Sequence, residues 1–249
     1  MKKLFLIFII SFRLSASYEV DLPNTKVLFV GNSYLYYNDS LHNHVKRMAF
    51  ERFPDIQDKF IYKSSTIGGA SSWHHNFEHL LNSKNIGVKE SFDLLILQGG
   101  SSEPLSKKSR ARFKDTIKQA KEIAEKHGTK LALYMTHAYV PPDKRYKANM
   151  IDDISSLYID AGKLNDLVII PVGIGFKNAY EADPKIKLHN IDGTHPSLLG
   201  TYLAACIVYG MLYGDSPLGL EYNYNNKISE KEKLFIQTIA QNTIQDFLN

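Results

Sequence analysis

The sequence predicts an α/β fold built on a mostly parallel sheet of five strands, and two observations support this. Five short apolar runs alternate with longer amphipathic segments, which is the order expected of βαβ units. The apolar runs show little alternation of polar and apolar residues, as is typical of strands covered by helices on both faces. The predicted strands are residues 27–30, 60–64, 94–98, 130–136 and 167–172.

The segments between the strands carry the apolar spacing of helices. Asn38 or Asp39 can cap the first helix, because a short polar side chain accepts a hydrogen bond from a free backbone N–H. Gly128 suits the C-terminal end of the third helix, and Pro196 suits the first turn of the fifth. The predicted helices are residues 40–53, 71–83, 107–127, 146–163 and 197–213.

One more helix is predicted over residues 229–248, at the end of the chain. Ser229 and Glu232 have the spacing of a capping box, and apolar residues then recur at helical intervals. The preceding residues 220–227 are rich in Tyr and Asn and are expected to form a surface loop. No change of composition marks a second unit, so residues 18–249 are predicted to be a single domain.

Residues 1–17 have the pattern of a secretory signal peptide. Lys2 and Lys3 form a positive start, residues 4–12 form a short apolar core, and residues 14–17 offer small side chains for cleavage. The apolar run is too short to span a bilayer. We therefore expect export to the periplasm or outside the cell, with no stable membrane insertion after cleavage. The alternative is an uncleaved, membrane-associated N-terminus.

Three of the four net positive charges of the chain come from this leader. It contains three basic residues and no acid, which leaves 27 Lys and Arg against 26 Asp and Glu in the rest of the chain. This balance argues against a nucleic-acid partner. Cys206 is the only cysteine, so an intramolecular disulfide is excluded. Its apolar surroundings in the sequence predict a buried, unreactive thiol.

Two short motifs at opposite ends of the chain carry the candidate chemistry. Gly31-Asn32-Ser33 follows the first predicted strand, so a tight turn presents the serine. Asp192 and His195 stand three residues apart, just before a predicted helix. A serine hydroxyl is a weak nucleophile that needs a nearby base. The sequence therefore predicts acyl transfer in which Ser33 attacks, His195 takes its proton and Asp192 orients the imidazole.

The oxyanion of the tetrahedral intermediate needs hydrogen-bond donors, and these are expected where neighbouring strands end. The candidates are the backbone N–H of Ser33, the N–H of Gly68 or Gly69, and the side-chain amide of Gln98. The Gly-x-Ser-x-Gly elbow is absent. Its absence, with the short spacing from Asp to His, argues against the α/β-hydrolase arrangement.

These motifs resemble the SGNH (GDSL-type) hydrolases from about residue 26 to 212. The family's Gly-Asp-Ser or Gly-Asn-Ser block matches residues 31–33, its glycine block matches Gly68 or Gly69, and its Asp-x-x-His block matches Asp192 and His195. The resemblance implies a flavodoxin-like three-layer α/β/α sandwich and a serine esterase mechanism with no metal or organic cofactor.

The third family block departs from its usual Gly-x-Asn-Asp. The sequence here is Leu-Gln-Gly-Gly-Ser-Ser at residues 97–102, with no asparagine. Gln98 can supply the amide, as glutamine does in some carbohydrate-esterase branches of the family. Alternatively, Ser101 aligns with the asparagine and offers a hydroxyl. We favour Gln98 because an amide N–H is a fixed donor.

Side chains near the proposed cleft are candidates for substrate binding. Trp73, His74 and Tyr34 are predicted to line an acyl or sugar pocket, the alternative being ordinary packing and solvated helix surface. His75 and His79 have the spacing of metal ligands on a helix. No third ligand is evident, and no metal is predicted.

Together these features predict an exported serine esterase that hydrolyses O-acyl groups, acetyl first, on carbohydrates. Its expected partner is a small-molecule or glycan ester. The alternatives are a lipolytic or thioester hydrolase, an acetyltransferase, and a carbohydrate-binding protein that keeps the fold without turnover.

Overall fold

The computed structural model describes residues 24–249, so the predicted signal peptide lies outside the described residues. Within these residues, five strands form one sheet in which every neighbouring pair is parallel. The strands are β1 (Lys26–Gly31), β2 (Ile61–Thr66), β3 (Leu94–Gln98), β4 (Lys130–Tyr134) and β5 (Val168–Ile170). Their spatial order, β2-β1-β3-β4-β5, is the flavodoxin-like order.

Helices cover both faces of this sheet. They are α1 (Ser33–Tyr36), α2 (Leu41–Arg52), α3 (Phe77–Leu81), α4 (Lys107–Lys126), α5 (Met150–Asn165), α6 (Val172–Ala182), α7 (Leu198–Tyr213) and α8 (Glu230–Leu248). Alternate residues of a strand point to opposite faces. Accordingly, Phe29 packs in a core with α2, α6, α7 and α8, whereas Val30 packs in a core with α3, α4 and α5. The predicted three-layer α/β/α sandwich is confirmed.

The last predicted strand is too long, because a helix begins inside it. Pro171 has no N–H to continue the ladder, and α6 starts at the next residue. The sequence analysis did not predict α6, whose Gly173 and Gly175 weaken the helical pattern. Gly173 is needed there because a Cβ would lie 2.2 Å from the carbonyl oxygen of Thr136. β4 likewise ends at Tyr134, two residues before the predicted end.

The helix predicted over residues 71–83 is broken. A short 3-10 helix at Ser72–His74 precedes α3, and Asn76 separates them. The Asn76 side chain accepts a hydrogen bond from the His79 N–H at 3.0 Å and so starts a new helix. Polar side chains that bind nearby backbone groups compete in this way with a continuous helix.

The start of α2 also differs from the prediction. Its N-cap position is Ser40, so neither Asn38 nor Asp39 caps it. All three residues have positive φ. The Asn38 amide instead donates hydrogen bonds to the Pro196 carbonyl at 2.9 Å and to the Thr201 hydroxyl at 2.8 Å. The turn after β1 is thereby tied to the start of α7.

The C-terminal elements follow the predictions more closely. The capping box of Ser229 and Glu232 starts α8. Ser197 caps α7, so Pro196 stands before the cap and not in the first turn. Cys206 is fully buried in α7, and this burial raises the pKa of its thiol. Among residues 24–249, no helix is both long enough and apolar enough to cross a bilayer.

We expect Gly200→Ala to lower the free energy of unfolding by about 2 kcal/mol, although alanine is normally the better helix residue. A Cβ at Gly200 would lie 2.2 Å from the backbone oxygen of Leu188, which cannot move without shifting the chain. Urea denaturation measures the change. Gly175→Ala is the matched control, because a Cβ there meets the movable end of the Ile207 side chain. Equal losses in the two variants would contradict the argument.

Candidate active site

Three predicted residues meet at the carboxyl ends of the strands. Ser33 follows β1 and opens α1, and its Oγ lies 2.9 Å from Nε2 of His195. Nδ1 of His195 lies 2.6 Å from Oδ2 of Asp192. The hydroxyl, imidazole and carboxylate therefore form a continuous hydrogen-bonded chain. This geometry lets the imidazole take a proton from the serine while the carboxylate holds its other nitrogen.

The carboxylate of Asp192 is fixed by its own loop. Its Oδ1 accepts hydrogen bonds from the backbone N–H groups of Thr194 at 2.9 Å and His195 at 3.0 Å. Burial acts to raise the pKa of Asp192, but these bonds and the His195 side chain outweigh it and lower the pKa. Gly193 has φ +71°, and a Cβ there would lie 2.1 Å from the Val140 carbonyl oxygen. Glycine is thus required at this turn.

Two tyrosines enclose the imidazole of His195. Tyr37 stacks on it almost in parallel, with ring centroids 4.3 Å apart and planes 8° apart. Tyr34 meets it edge-on at 6.2 Å and itself stacks on His137 at 4.0 Å. Tyr34, predicted to bind substrate, is only 2% exposed. It forms a wall behind the imidazole and does not offer an open face, so its predicted place in the pocket is revised.

The side chain of Gln98 forms hydrogen bonds with backbone groups. Its Oε1 accepts the Asn32 N–H at 2.9 Å, and its Nε2 donates to the Gly99 carbonyl. The side chain is 1% exposed. The side-chain amide has a second N–H, for which residues 24–249 offer no acceptor, so its role as oxyanion donor stays a prediction, while Oε1 holds the turn at Asn32. A Cβ at Gly31 would lie 2.4 Å from Gln98 Oε1, which explains the glycine before the serine.

The other predicted oxyanion donors are backbone groups. Among residues 24–249, the N–H groups of Ser33, Gly68 and Gly69 have no protein acceptor. Gly68 and Gly69 are exposed just beyond β2, whose last residue pairs with Gly31 at the end of β1. The alternative donor, Ser101, accepts a hydrogen bond from the Tyr139 hydroxyl at 2.9 Å.

A buried carboxylate that the sequence analysis missed joins the loops after β2 and β3. Glu103 is 1% exposed and accepts hydrogen bonds at 2.8 Å from the N–H and hydroxyl of Ser72 and from the Gly100 N–H. Burial raises the pKa of Glu103 to about 7, even though these three donors favour the charged form. A single acidic residue after a glycine pair gives no signal of this role in the sequence.

The buried His137 and the half-buried His189 brace the acid–base loop, which we define as residues 188–197. His137 stacks between Tyr34 and Phe176 and donates from Nε2 to the Thr194 carbonyl at 2.9 Å. His189 donates to the Ala138 carbonyl at 3.0 Å, so its Nδ1 accepts the Tyr180 hydroxyl at 2.7 Å. Burial lowers the pKa of both histidines, and that of His189 reaches about 4.

The β4–α5 loop, residues 135–149, holds the acid–base loop from the other side. The Val140 N–H donates to the Gly193 carbonyl at 2.9 Å, and the Thr194 hydroxyl donates to Asp143. Asp143 accepts hydrogen bonds from Nε of Arg145 at 3.0 Å and from Nη2 at 2.7 Å. The guanidinium of Arg145 holds the pKa of Asp143 well below its usual range. These residues lie far apart from His195 in sequence, and no motif marks them.

The remaining predicted residues have structural contacts of their own. Trp73 lies under the guanidinium of Arg112, 4.3 Å from the ring centroid. Nδ1 of His74 accepts the Ser71 N–H at 3.0 Å and so caps the 3-10 helix. Their contact with substrate stays a prediction. His75 is buried and His79 exposed. In the described part of the chain, no three His, Cys, Asp or Glu side chains are grouped to hold a metal.

The chain matches no protein-family model and no curated protein sequence. Several solved structures share its fold. A DUF4886 family protein from Bacteroides uniformis has a TM-score of 0.64 and 22% identity, over 88% of this chain and 94% of that chain. A candidate SGNH hydrolase from Slackia heliotrinireducens has a TM-score of 0.60 and 19% identity, over 74% and 97%. The acetyl xylan esterase AlAXEase has a TM-score of 0.57 and 16% identity, over 74% and 98%.

The chain has the SGNH-hydrolase fold. The resemblance first seen in the motifs is therefore confirmed at the level of the fold. Ser33 comes first in the chain, and Asp192 and His195 come last. The SGNH-type fold brings all three together at the carboxyl edge of the sheet. Identities this low show the fold alone.

We expect acid to destabilise the protein between pH 6.5 and pH 4, in part through His189. Burial keeps this side chain neutral in the folded state, while the unfolded chain takes up a proton below about pH 6.5. Its stabilising contribution is complete above pH 6.5 and is lost as the pH falls towards 4. The loss is about 3 kcal/mol for a shift to a pKa of about 4.

Urea denaturation across this pH range measures the effect. His189→Gln can still form hydrogen bonds but does not titrate, so the free energy of unfolding should fall less steeply with acid than in the wild type. The same slope in both proteins would show that the His189 proton equilibrium does not change on folding.

Proposed function

We propose that this protein is a serine hydrolase of the SGNH type, which cleaves O-acyl esters through an acyl-enzyme on Ser33. The observation that carries the proposal is the hydrogen-bonded chain from Ser33 Oγ to His195 Nε2 and from His195 Nδ1 to Asp192. A serine without such a base would be too weak a nucleophile to attack an ester at neutral pH.

The first half of the reaction forms the acyl-enzyme. Nε2 of His195 removes the Ser33 proton as Oγ bonds to the ester carbonyl carbon, and Asp192 stabilises the resulting imidazolium. The tetrahedral intermediate then breaks its bond to the alcohol oxygen, which takes the proton from His195. In the second half, His195 activates a water that attacks the acyl carbon. Ser33 regains its proton, and the carboxylic acid is released.

The oxyanion would be bound by the backbone N–H groups of Ser33 and of Gly68 or Gly69. The support is that these groups have no protein acceptor within residues 24–249. Gln98 would act by fixing the turn at Asn32, through the hydrogen bond of 2.9 Å to its N–H. The second N–H of the Gln98 side chain is the proposed side-chain donor, and the hydroxyl of Ser101 is the alternative to it. Each oxyanion donor commonly changes the rate by about a hundredfold or more.

The proposed substrates are acyl esters of carbohydrates, acetyl esters first, acted on outside the cytoplasm. The leader-like sequence at residues 1–17 supports export. Acetyl xylan esterases are among the proteins that share the fold. Tyr36 is 41% exposed beside Gly68, and its ring offers an apolar face of the kind that sugar rings bind.

Ser33→Ala is expected to lower the rate of hydrolysis of p-nitrophenyl acetate by at least about 10³-fold, because the nucleophile is removed. The melting temperature should change little, since within residues 24–249 the Ser33 side chain hydrogen-bonds with His195 alone. Ser102→Ala is the control, as its exposed hydroxyl makes no hydrogen bond with residues 24–249. Retained turnover in Ser33→Ala would remove the basis of the proposed function.

The acyl preference is measured with p-nitrophenyl acetate against p-nitrophenyl decanoate. For an acetyl esterase we expect kcat/KM to be at least about tenfold higher with the acetate, because a small acyl pocket excludes the longer chain. A preference for the decanoate would replace the carbohydrate-ester proposal by the lipolytic alternative. Release of acetate from acetylated xylan then tests the glycan directly.

A further inference from the structure

The rim of the proposed active site carries an arginine that is held in one orientation. Nε and Nη2 of Arg145 bind the two oxygens of Asp143, and Nη2 also reaches the Thr194 hydroxyl at 3.3 Å. The guanidinium lies over the ring of Tyr139, 4.2 Å from its centroid. Three contacts thus fix a side chain that is usually mobile at a surface.

One edge of this guanidinium is left open. Nη1 of Arg145 has no acceptor among residues 24–249, and half of the side chain is exposed. Thr194, which Arg145 touches, is bonded directly to His195 in the chain. The free Nη1 of a half-exposed guanidinium therefore belongs to a side chain that contacts the residue before His195.

The surroundings of Arg145 favour a negatively charged ligand. Asp143 is the only acid in the β4–α5 loop and is already paired with Arg145. Lys144 and Lys147 are exposed and form no ion pair within the described residues. Asp192, the nearest acid of the acid–base loop, is turned to His195 at 2.6 Å. The loop therefore carries Lys144, Arg145 and Lys147 against the single acid Asp143, and the next acids along the chain lie in the first turn of α5.

The same loop also presents an aromatic ring. Tyr146 follows Arg145 and is 44% exposed. An open aromatic face next to a fixed cation suits a ligand that combines a ring with apolar C–H groups and a negative charge.

We propose that Arg145 is a specificity-determining residue that binds the carboxylate of an ester substrate, so that acyl esters of uronic-acid-containing glycans are preferred over neutral ones. This inference rests on the proposed function and names its substrate class. A guanidinium already oriented by Asp143 and Tyr139 loses little freedom when it binds. Its hydrogen bond to a carboxylate is charge-assisted and stronger than one to a hydroxyl.

The test compares two substrates that differ only in charge. One is an O-acetylated oligogalacturonate, and the other is the same oligosaccharide after reduction of its carboxyl groups to alcohols. The measured quantity is the ratio of kcat/KM for the charged substrate to kcat/KM for the reduced one. In the wild type we expect a ratio of at least about ten, falling as NaCl is raised because salt screens the attraction.

Arg145→Gln should bring this ratio close to one, since it removes the charge. Lys126→Gln, an exposed change in the last turn of α4 at the opposite edge of the sheet, is the matched control and should keep the wild-type ratio. If Arg145 acted only by positioning Thr194 and His195, both substrates would lose the same factor, and the unchanged ratio would overturn the proposal.

The test separates this inference from the proposed function. A wild-type ratio near one, together with Ser33-dependent hydrolysis of both substrates, overturns the role of Arg145 and leaves the esterase standing. Absence of Ser33-dependent hydrolysis of p-nitrophenyl acetate and of both oligosaccharides overturns the esterase and the inference with it.

Discussion

The proposed chemistry depends on one constraint, which is that hydrogen bonds fix the position of the loop that carries His195. Thr194, in the middle of this loop, is bound through its N–H by Asp192, through its carbonyl by His137 and through its hydroxyl by Asp143. The hydrogen bond of 2.9 Å that the Ser33 hydroxyl donates to Nε2 of His195 requires both partners to keep their positions. Catalysis by proton transfer requires such fixed geometry.

The sheet fixes the position of Ser33, the partner of His195. Ser33 stands at the end of a buried central strand, and Gln98 on the neighbouring strand grips the turn just before it. The serine is thus placed by rigid strands, whereas His195 is placed by loops. Glu103 extends the same rigidity to the loops after β2 and β3. One side of the site is thus fixed on strands and the other on loops that are held by hydrogen bonds.

The cost of this arrangement is a set of buried polar groups. His137 and Glu103 are buried and His189 is half-buried, and burial shifts the pKa values of all three towards the neutral forms. The two histidines therefore cost stability at acid pH. Glu103, whose pKa is raised to about 7, costs stability in the opposite direction, as the pH rises towards that value.

The sequence by itself determined the parallel sheet, most helices and the three residues of the hydrogen-bonded chain, because strand periodicity and short motifs are local. It missed α6, whose glycines hide a helix, and it did not show that Gln98 binds the turn at Asn32 or that Tyr34 stacks on His137. Only the tertiary structure decided that Asp143 and Arg145 contact Thr194, the neighbour of His195, since they lie about fifty residues away in the chain. Contacts between distant loops follow from how the sheet brings its carboxyl ends together, and no local pattern records them.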